Sequence, residues 1–567
     1  MRNRIIAIIL AATFLMLVIS SCNMPVSTDT EPLTEANKTT EIITEQITEP
    51  ATEQITEPVT ETTAKPIEEP DLFPDALTFD DLKTSATKLR FSDFVSATVS
   101  GDEHISVLVT LVQFTDGYKV NKEEFENYFK GEYDADNCIK SLSSYYKYSS
   151  GGKISFNFQF IYYDTGLTCA EAYHLVNDQD ENGRFYGNKY IFDIFKDAKA
   201  NNENYGIDYK SLDGDGNGYI DISFYVFAEY STRTTPGLGH YNIYGSATGQ
   251  TDEKQFPSDT ENPSLKRFIK TSYEDLKRSP DLGNSFGPRI IIHETGHALG
   301  LPDYYDFHSY EGNVISTLGT IDMMDHDYSD HNAFSKFALG WIEPYVIDGT
   351  EDELTIKLTC SDEHGDVILI PTSKGWNGTA FDEYILIEIC APVGAKIFDW
   401  KNMVNSKLSP LKNTEGGIRI YHVDARLSIY MYDAENRKWY QEFLDDPMMA
   451  INNTNVQTAF YNTNGIDPEI EGQSRFYHLV EVVPSDRSSK FRKYDMSKSL
   501  DGFSCPLTVS DLFGPGDTFI LDETNKSFTN APYMNNGGTL DYSVTVEQYN
   551  TQTHEAVIKI RKINTTD

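Results

Sequence analysis

The apolar positions of this chain change their period along its length. In HISVLVTLVQFTD (His104–Asp116) they run almost unbroken, as in a strand buried on both faces, and stop at a turn. KISFNFQFIYYD (Lys153–Asp164) alternates in the manner of a half-buried strand, and ISFYVFAE from Ile222 is another buried run. Between and after them, Asn121–Tyr128, Asn137–Tyr148 and the segment PRIIIHETGHALG follow helical spacing. Beyond Trp341-Ile342-Glu343-Pro344 the texture becomes short and β-rich: ELTIKLT, DVILIPT, YILIEIC, GIRIYHVD, FYHLVEVV, YSVTVEQY and HEAVIKIRK, separated by turn residues. The pattern predicts an α+β protein, with a mixed α/β catalytic part followed by an all-β, sandwich-like C-terminal region.

The ends add an address. MRNRIIAIILAATFLMLVISSC has an early Arg2 and Arg4, a short apolar core from Ile5 to Ile19 and small residues before Cys22, which is the form of a secretory leader. Cys22 after two serines resembles the lipobox of bacterial lipoproteins, so it is the expected lipidation site. From Ser27 to Pro70 the chain is almost wholly Thr, Glu, Pro, Ile and Ala, with Thr-Glu recurring every four residues. A helix there would stack Glu on Glu, and Pro50 and Pro58 would interrupt it, so a disordered tether is predicted. Fifty residues at roughly 3 Å each would reach on the order of 150 Å from a membrane. The expected organisation is a leader at 1–22, a tether at 23–75, a catalytic unit at 76–345 and a β-rich unit at 346–567, displayed on a bacterial cell surface. With 47 basic against 87 acidic residues, the net charge of −40 argues against nucleic acid as a partner and against membrane contact other than through the lipid. The five cysteines after Cys22 are odd in number and widely spaced, with no CxxC, so scattered buried thiols are expected.

The candidate chemistry lies in IIIHETGHALGLPDYYDF, Ile290–Phe307. His293 and His297 are four apart and project from one helix face, close enough to share a zinc ion, and Glu294 stands one step round, where it can act as a base without being a ligand. Two histidines do not hold a catalytic zinc. Gly300 comes three residues after His297, where a positive φ would end the helix and turn the chain back, and Asp303 follows three further on. This HExxHxxGxxD spacing makes Asp303 the expected third ligand, with Asp306 and His308 as its rivals. Asp322-Met323-Met324-Asp325 suits a methionine turn beneath a zinc.

HETGHALGLPDYYD, DMMD and AFSKFALGW together resemble the immune inhibitor A family of secreted bacterial metallopeptidases. Upstream, VLVTLVQFTD, SLSSYYKYSSGGKISF and DGDGNGYIDISFYVFAE extend the likeness, and downstream YILIEI, GGIRIYHVD, LVEVV and DLFGPGDTF do so, over roughly His104 to Phe519. The resemblance implies a metzincin-like catalytic domain in which His293, His297 and Asp303 hold zinc, Glu294 is the general base and Met324 forms the turn. It implies an endopeptidase acting on extracellular proteins or peptides. The short stretch before the first strand and the lipid tether depart from the family's usual propeptide and full secretion.

Other groups bear less on the reaction. Asp213, Asp215, Asn217 and Asp221 offer oxygens at alternate positions around Gly218, like the start of a calcium loop, but the twelfth position is Phe224, so the loop is no complete EF-hand. Asp178, Asp180 and Asn182 repeat the pattern less well. Tyr328 or His326, just past the methionine turn, could stabilise an oxyanion. His422 and His478 fall in β-rich segments and are expected to be structural. The rival reading is a surface-anchored binding protein on a catalytically degenerate peptidase scaffold; the intact His-Glu-His set argues against it.

Overall fold

The computed structural model describes residues 73–82, 89–94, 103–177, 188–229, 247–251, 254–277, 287–306, 315–326, 329–400, 411, 415–433, 438–451, 453, 455–460, 470–471, 477–489, 491 and 507–563. The leader, Cys22, the tether up to residue 72, residues 178–182, His308, Tyr328 and Cys505 lie outside these residues. A first short strand, β1 (Leu77–Thr78), belongs to a C-terminal sheet. The long apolar run forms β2 (Glu103–Gln113), which lies parallel to β3 (Ile154–Asp164) on one side and to β4 (Ile222–Phe227) on the other. Next to β4 and parallel to it lies β6 (Arg267–Ser272), and β5 (Ala247–Gln250) closes the sheet antiparallel to β6, giving the order β3-β2-β4-β6-β5.

Both faces of this sheet are covered, which is why β2 and β4 read as continuous apolar runs. Leu108, Val112, Tyr225 and Phe227 pack with Ile191, Ile194, Phe195 and Ala198. Val107, Val109, Leu111, Phe224 and Val226 face the other way, into the cluster that holds the HETGH helix. That face carries α1 (Lys122–Lys130) and α2 (Leu142–Ser149); the first cluster takes Cys169 and Ala172 from a helix at Cys169–Asn177 and more from α3 (Lys189–Ala200), whose apolar positions fall at i, i+3, i+4 and i+7. The single helix expected over 137–148 is broken. A 3₁₀ turn over Ala135–Lys140 ends at Ser141, whose Oγ accepts the Ser144 N–H at 3.1 Å and starts α2 afresh.

After α4 (Arg289–Ala298), β7 (Tyr305–Asp306) and β8 (Ile315–Ser316) form a small hairpin, followed by the short α5 (Met323–His326) and α6 (Ala333–Ala338). The β-rich part then builds one sheet from β9 (Tyr345–Val346), β11 (Val367–Pro371), β12 (Glu383–Cys390), β13 (Gly417–Asp424) and β18 (Val480–Val483), and another from β1, β10 (Glu353–Thr359), β19 (Thr518–Phe519), β20 (Tyr542–Asn550) and β21 (Glu555–Lys562). A smaller sheet joins β14 (Leu427–Asp433), β15 (Lys438–Phe443), β16 (Val456–Thr458) and β17 (Ile470–Glu471). Period two divides β12 between two cores. Ile385, Ile387 and Ile389 join Ile356, Leu358, Ile558 and Ile560 of the facing sheet. Tyr384 and Leu386 join Tyr421, Phe334 and Phe337, in the cluster that also contains the HETGH helix. Helix α6 and the β-rich sheet are therefore packed into one core, with Phe91 and Phe94 of the N-terminal segment wedged against Phe334 and Phe381. Cys138, Cys169, Cys360 and Cys390 are free and buried. Among the described residues no helix is long and apolar enough to cross a membrane.

His422 is structural, and it carries charge. Its Nε2 lies 2.8 Å from Glu383 Oε1 and its Nδ1 2.9 Å from Glu481 Oε1, which joins β12, β13 and β18 through one buried ring. Burial alone would lower its pKa; hydrogen bonds to both carboxylates outweigh it and push it up to about 9. Because the folded value lies above the unfolded one, this stabilisation is complete below about pH 6.5 and is lost as pH rises through about 9. Replacing the ring by leucine leaves two buried carboxylates without their cation, and the expected cost is about 3–5 kcal/mol. Denaturant melts at pH 6 and pH 9 check both points: the wild type should lose stability over that range, and H422L should lose much less. A pH-independent wild type would contradict the assignment.

Candidate metal centre

Helix α4 is held before it presents any ligand. Ile291 and Ile292 are fully buried in the main core, and the Tyr146 hydroxyl donates to Ile292 O at 2.9 Å. At the other end Arg267 Nη1 donates to His297 O at 2.8 Å, so a cation from β6 satisfies a terminal carbonyl. Gly300 has φ of 101°, and Leu301 N returns to Gly296 O at 3.0 Å. This is the reversal that the sequence predicts, and it brings Asp303 back over the helix. Asp303 Oδ1 lies 3.0 Å from His293 Nε2 and 3.2 Å from His297 Nε2. His293, His297 and Asp303 thus form a group whose ligand atoms lie within 4.8 Å of one another. The side chains of the rivals Asp306 and His308 lie outside the described residues.

The hydrogen bonds of the two rings decide what this group is for. His293 Nδ1 meets Met323 O at 2.8 Å, and His297 Nδ1 meets Leu301 O at 2.8 Å. A carbonyl only accepts, so each Nδ1 carries a proton, and each Nε2 faces Asp303 as a lone pair in the neutral ring or as a second N–H in the charged one. When both rings are neutral, two imidazole lone pairs and a carboxylate oxygen point at one another, a repulsion that a cation among them would relieve. Protons do this in part. Burial would lower the His297 pKa, but Asp303 raises it. Asp303 in turn is held well below the carboxylate range by both imidazoles, against the effect of its own burial. A divalent ion taking two nitrogens and one oxygen, with a further position open, fits the same donors, and zinc suits that set. Glu294 is buried beside them and close enough to His297 to favour its charged form.

The methionine turn lies directly beneath. A Cβ added at Gly296, between the two histidines, would stand 2.4 Å from Met324 Sδ. Met324 is fully buried there, and its carbonyl accepts the Tyr304 N–H at 2.9 Å. Thr317, Gly319 and Thr320 then tie the turn to its surroundings. Thr320 N donates to Asp325 Oδ2 at 3.1 Å, and Ser316 Oγ donates to the same carboxylate. On the other side Thr317 Oγ1 donates to Val480 O at 2.8 Å, Val482 N to Thr317 O at 2.9 Å and Leu507 N to Gly319 O at 2.8 Å. The β-rich region therefore braces the floor of the metal centre. Sequence reading missed Tyr146, Arg267 and these braces, since each comes from a segment remote in the chain. For the oxyanion candidates, Tyr328 and the side chain of His326 lie outside the described residues.

The second acidic group also converges. Asp213, Asp215 and Asp221 bring carboxylate oxygens within 4.8 Å of one another. Asp213 accepts the N–H groups of Asn217 and Gly218, both at 2.9 Å, while Asp221 accepts those of Ser106 and Gly214, also at 2.9 Å. Burial pushes Asp221 up to about 7, with Asp215 and Asp213 adding repulsion. Asn217 is spent locally, its Nδ2 donating to Asp215 and its Oδ1 accepting from Tyr219 N.

No protein-family model matches the chain, and no curated protein matches it.

The contact beneath α4 gives a direct test. Gly296→Ala forces its methyl onto Met324 Sδ, and overpacking of this kind costs about 1–3 kcal/mol. Met324→Ala leaves a cavity and costs about 2–5 kcal/mol by itself. In the double variant the clash is gone, so the two losses should sum to clearly more than the loss measured for the pair. Strict additivity in urea melts would show that the two residues do not touch.

Proposed function

We propose that this protein is a zinc-dependent endopeptidase with a metzincin-like catalytic domain, akin to the immune inhibitor A family that its motifs resemble. The observation that carries the reading is the convergence of the His293, His297 and Asp303 electron pairs, with Glu294 beside them. Zinc held by these three side chains would supply a Lewis acid that polarises the scissile carbonyl. Glu294 accepts a proton from the attacking water and passes it to the departing amine. His293 and His297 keep their Nδ1 protons on backbone carbonyls throughout, which holds their rings in register. The mixed sheet, the helix packed across it and the methionine turn beneath support the metzincin-like reading, and the shared core of the two C-terminal sheets supports a sandwich.

The rest of the reading follows the sequence. Cys22 is the proposed lipid anchor at the bacterial surface, the 23–75 segment the tether, and extracellular proteins or peptides the substrates. A structural calcium ion is proposed at Asp213, Asp215 and Asp221, where one divalent cation would offset the repulsion of three carboxylates.

Two variants separate the roles at the zinc. Glu294→Ala should keep about one zinc per chain while losing casein hydrolysis by roughly 10²–10⁴-fold. Asp303→Ala should lose both metal and activity, whereas Asp306→Ala and His308→Ala should keep the metal. Near wild-type hydrolysis by E294A, or a full zinc complement in D303A, would sink the assignments. A wild type that leaves casein untouched with zinc bound would favour the binding-protein alternative.

A further inference from the structure

We propose that Asp322 is the positioning residue of the metal centre: its buried carboxylate fixes the methionine turn, and the turn in turn aligns the groups that present the metal ligands. The inference rests on the zinc reading above. Asp322 is fully buried. Its Oδ1 accepts the Met324 N–H at 2.7 Å, and its Oδ2 accepts both the Asn332 N–H at 2.8 Å and the Asn332 side-chain N–H at 3.0 Å. One carboxylate thus closes the turn upon itself and ties it to the residue that starts the next helix. Asn332 is itself committed there, because its Oδ1 accepts the Ser335 N–H at 3.0 Å and caps α6.

What the turn then touches gives the carboxylate its reach. Met323 O accepts His293 Nδ1, which sets the tautomer of the first ligand and the direction of its Nε2. Met324 Sδ fills the space under Gly296, the residue next to His297. Met324 O accepts the N–H of Tyr304, the residue next to Asp303, and the Tyr304 hydroxyl bonds to Ser335 Oγ at 2.6 Å in the helix that Asn332 caps. All three contacts depend on where residues 323 and 324 sit. Asp322 touches none of the ligands, so it acts through the turn alone.

Asp322→Asn is close in shape but turns an N–H₂ group toward one of the existing donors, so the turn has to move. Asn332→Asp keeps the helix cap and sets a second carboxylate against Asp322. The probe is cobalt(II) loaded in place of zinc, read by its visible absorption, together with the rate at which zinc passes to a chromogenic chelator. Outer partners of metal ligands typically change metal affinity by 10–100-fold, so D322N should release zinc at least about tenfold faster and N332D should do so to a lesser degree. Both should show a displaced cobalt spectrum while keeping the wild-type near-ultraviolet circular dichroism. If D322N fails to fold, N332D decides by the same two readings. A wild-type spectrum and release rate in a folded variant would overturn the role of Asp322 and leave the zinc reading intact. A wild type that takes up neither zinc nor cobalt would overturn both.

Discussion

Three electron-pair donors aimed at one point repel one another, and the end of this protein that carries His293, His297 and Asp303 is built around that constraint. The two Nδ1 protons are committed to Met323 O and Leu301 O, so in their neutral forms the rings have only their lone pairs to offer Asp303. Neutral imidazoles and a buried carboxylate at 3.0 and 3.2 Å are stable together only with a positive charge among them. The surroundings hold the group in place against this repulsion. Arg267 secures one end of the helix and Tyr146 its middle. The chain reversal at Gly300 gives Asp303 no freedom to retreat.

That rigidity draws on the whole chain. The floor under the three donors is formed by residues 316–325 and 329–332. Its outer edge bonds to Val480, Val482 and Leu507, which belong to the β-rich region. β12 is buried on both faces because one face serves its own sheet pair and the other serves the core that holds the HETGH helix. β1 pairs with β10, and Phe91 and Phe94 then pack on Phe334 and Phe381, so the N-terminal segment spans both parts as well. The β-rich region is thus a structural support of the segment beneath His293, His297 and Asp303.

Much of this was legible in the sequence where one local rule suffices. β2, β4, β12 and β13 are apolar runs because both their faces are covered, and HExxH declares itself because residues four apart share a helix face. The six-residue step from His297 to Asp303 could be read through Gly300, since only a reversal makes that spacing productive. β6 escaped notice because Arg267 and Lys270 interrupt its apolar pattern, and Arg267 proves to be a helix cap. β14 and β15 carry polar positions that bond to each other, Gln441 Nε2 to Ser428 Oγ at 2.8 Å, which dilutes their signal. The helix break at Ser141 depended on a cap within a helix-like stretch. Asp322 is the clearest case of a residue that sequence spacing could not assign. Its partners are a backbone N–H two residues on and an asparagine ten residues on, and only the folded turn brings them to one carboxylate.

The central claim is that His293, His297 and Asp303 hold one zinc ion. X-ray absorption at the zinc edge on the purified full-length protein tests it most directly. The expected shell is two imidazole nitrogens and oxygen ligands, including one carboxylate, at about 2.0–2.2 Å, with no sulfur in the coordination sphere. Sulfur scattering at about 2.3 Å, a single imidazole, or protein that stays metal-free after incubation with zinc would contradict it.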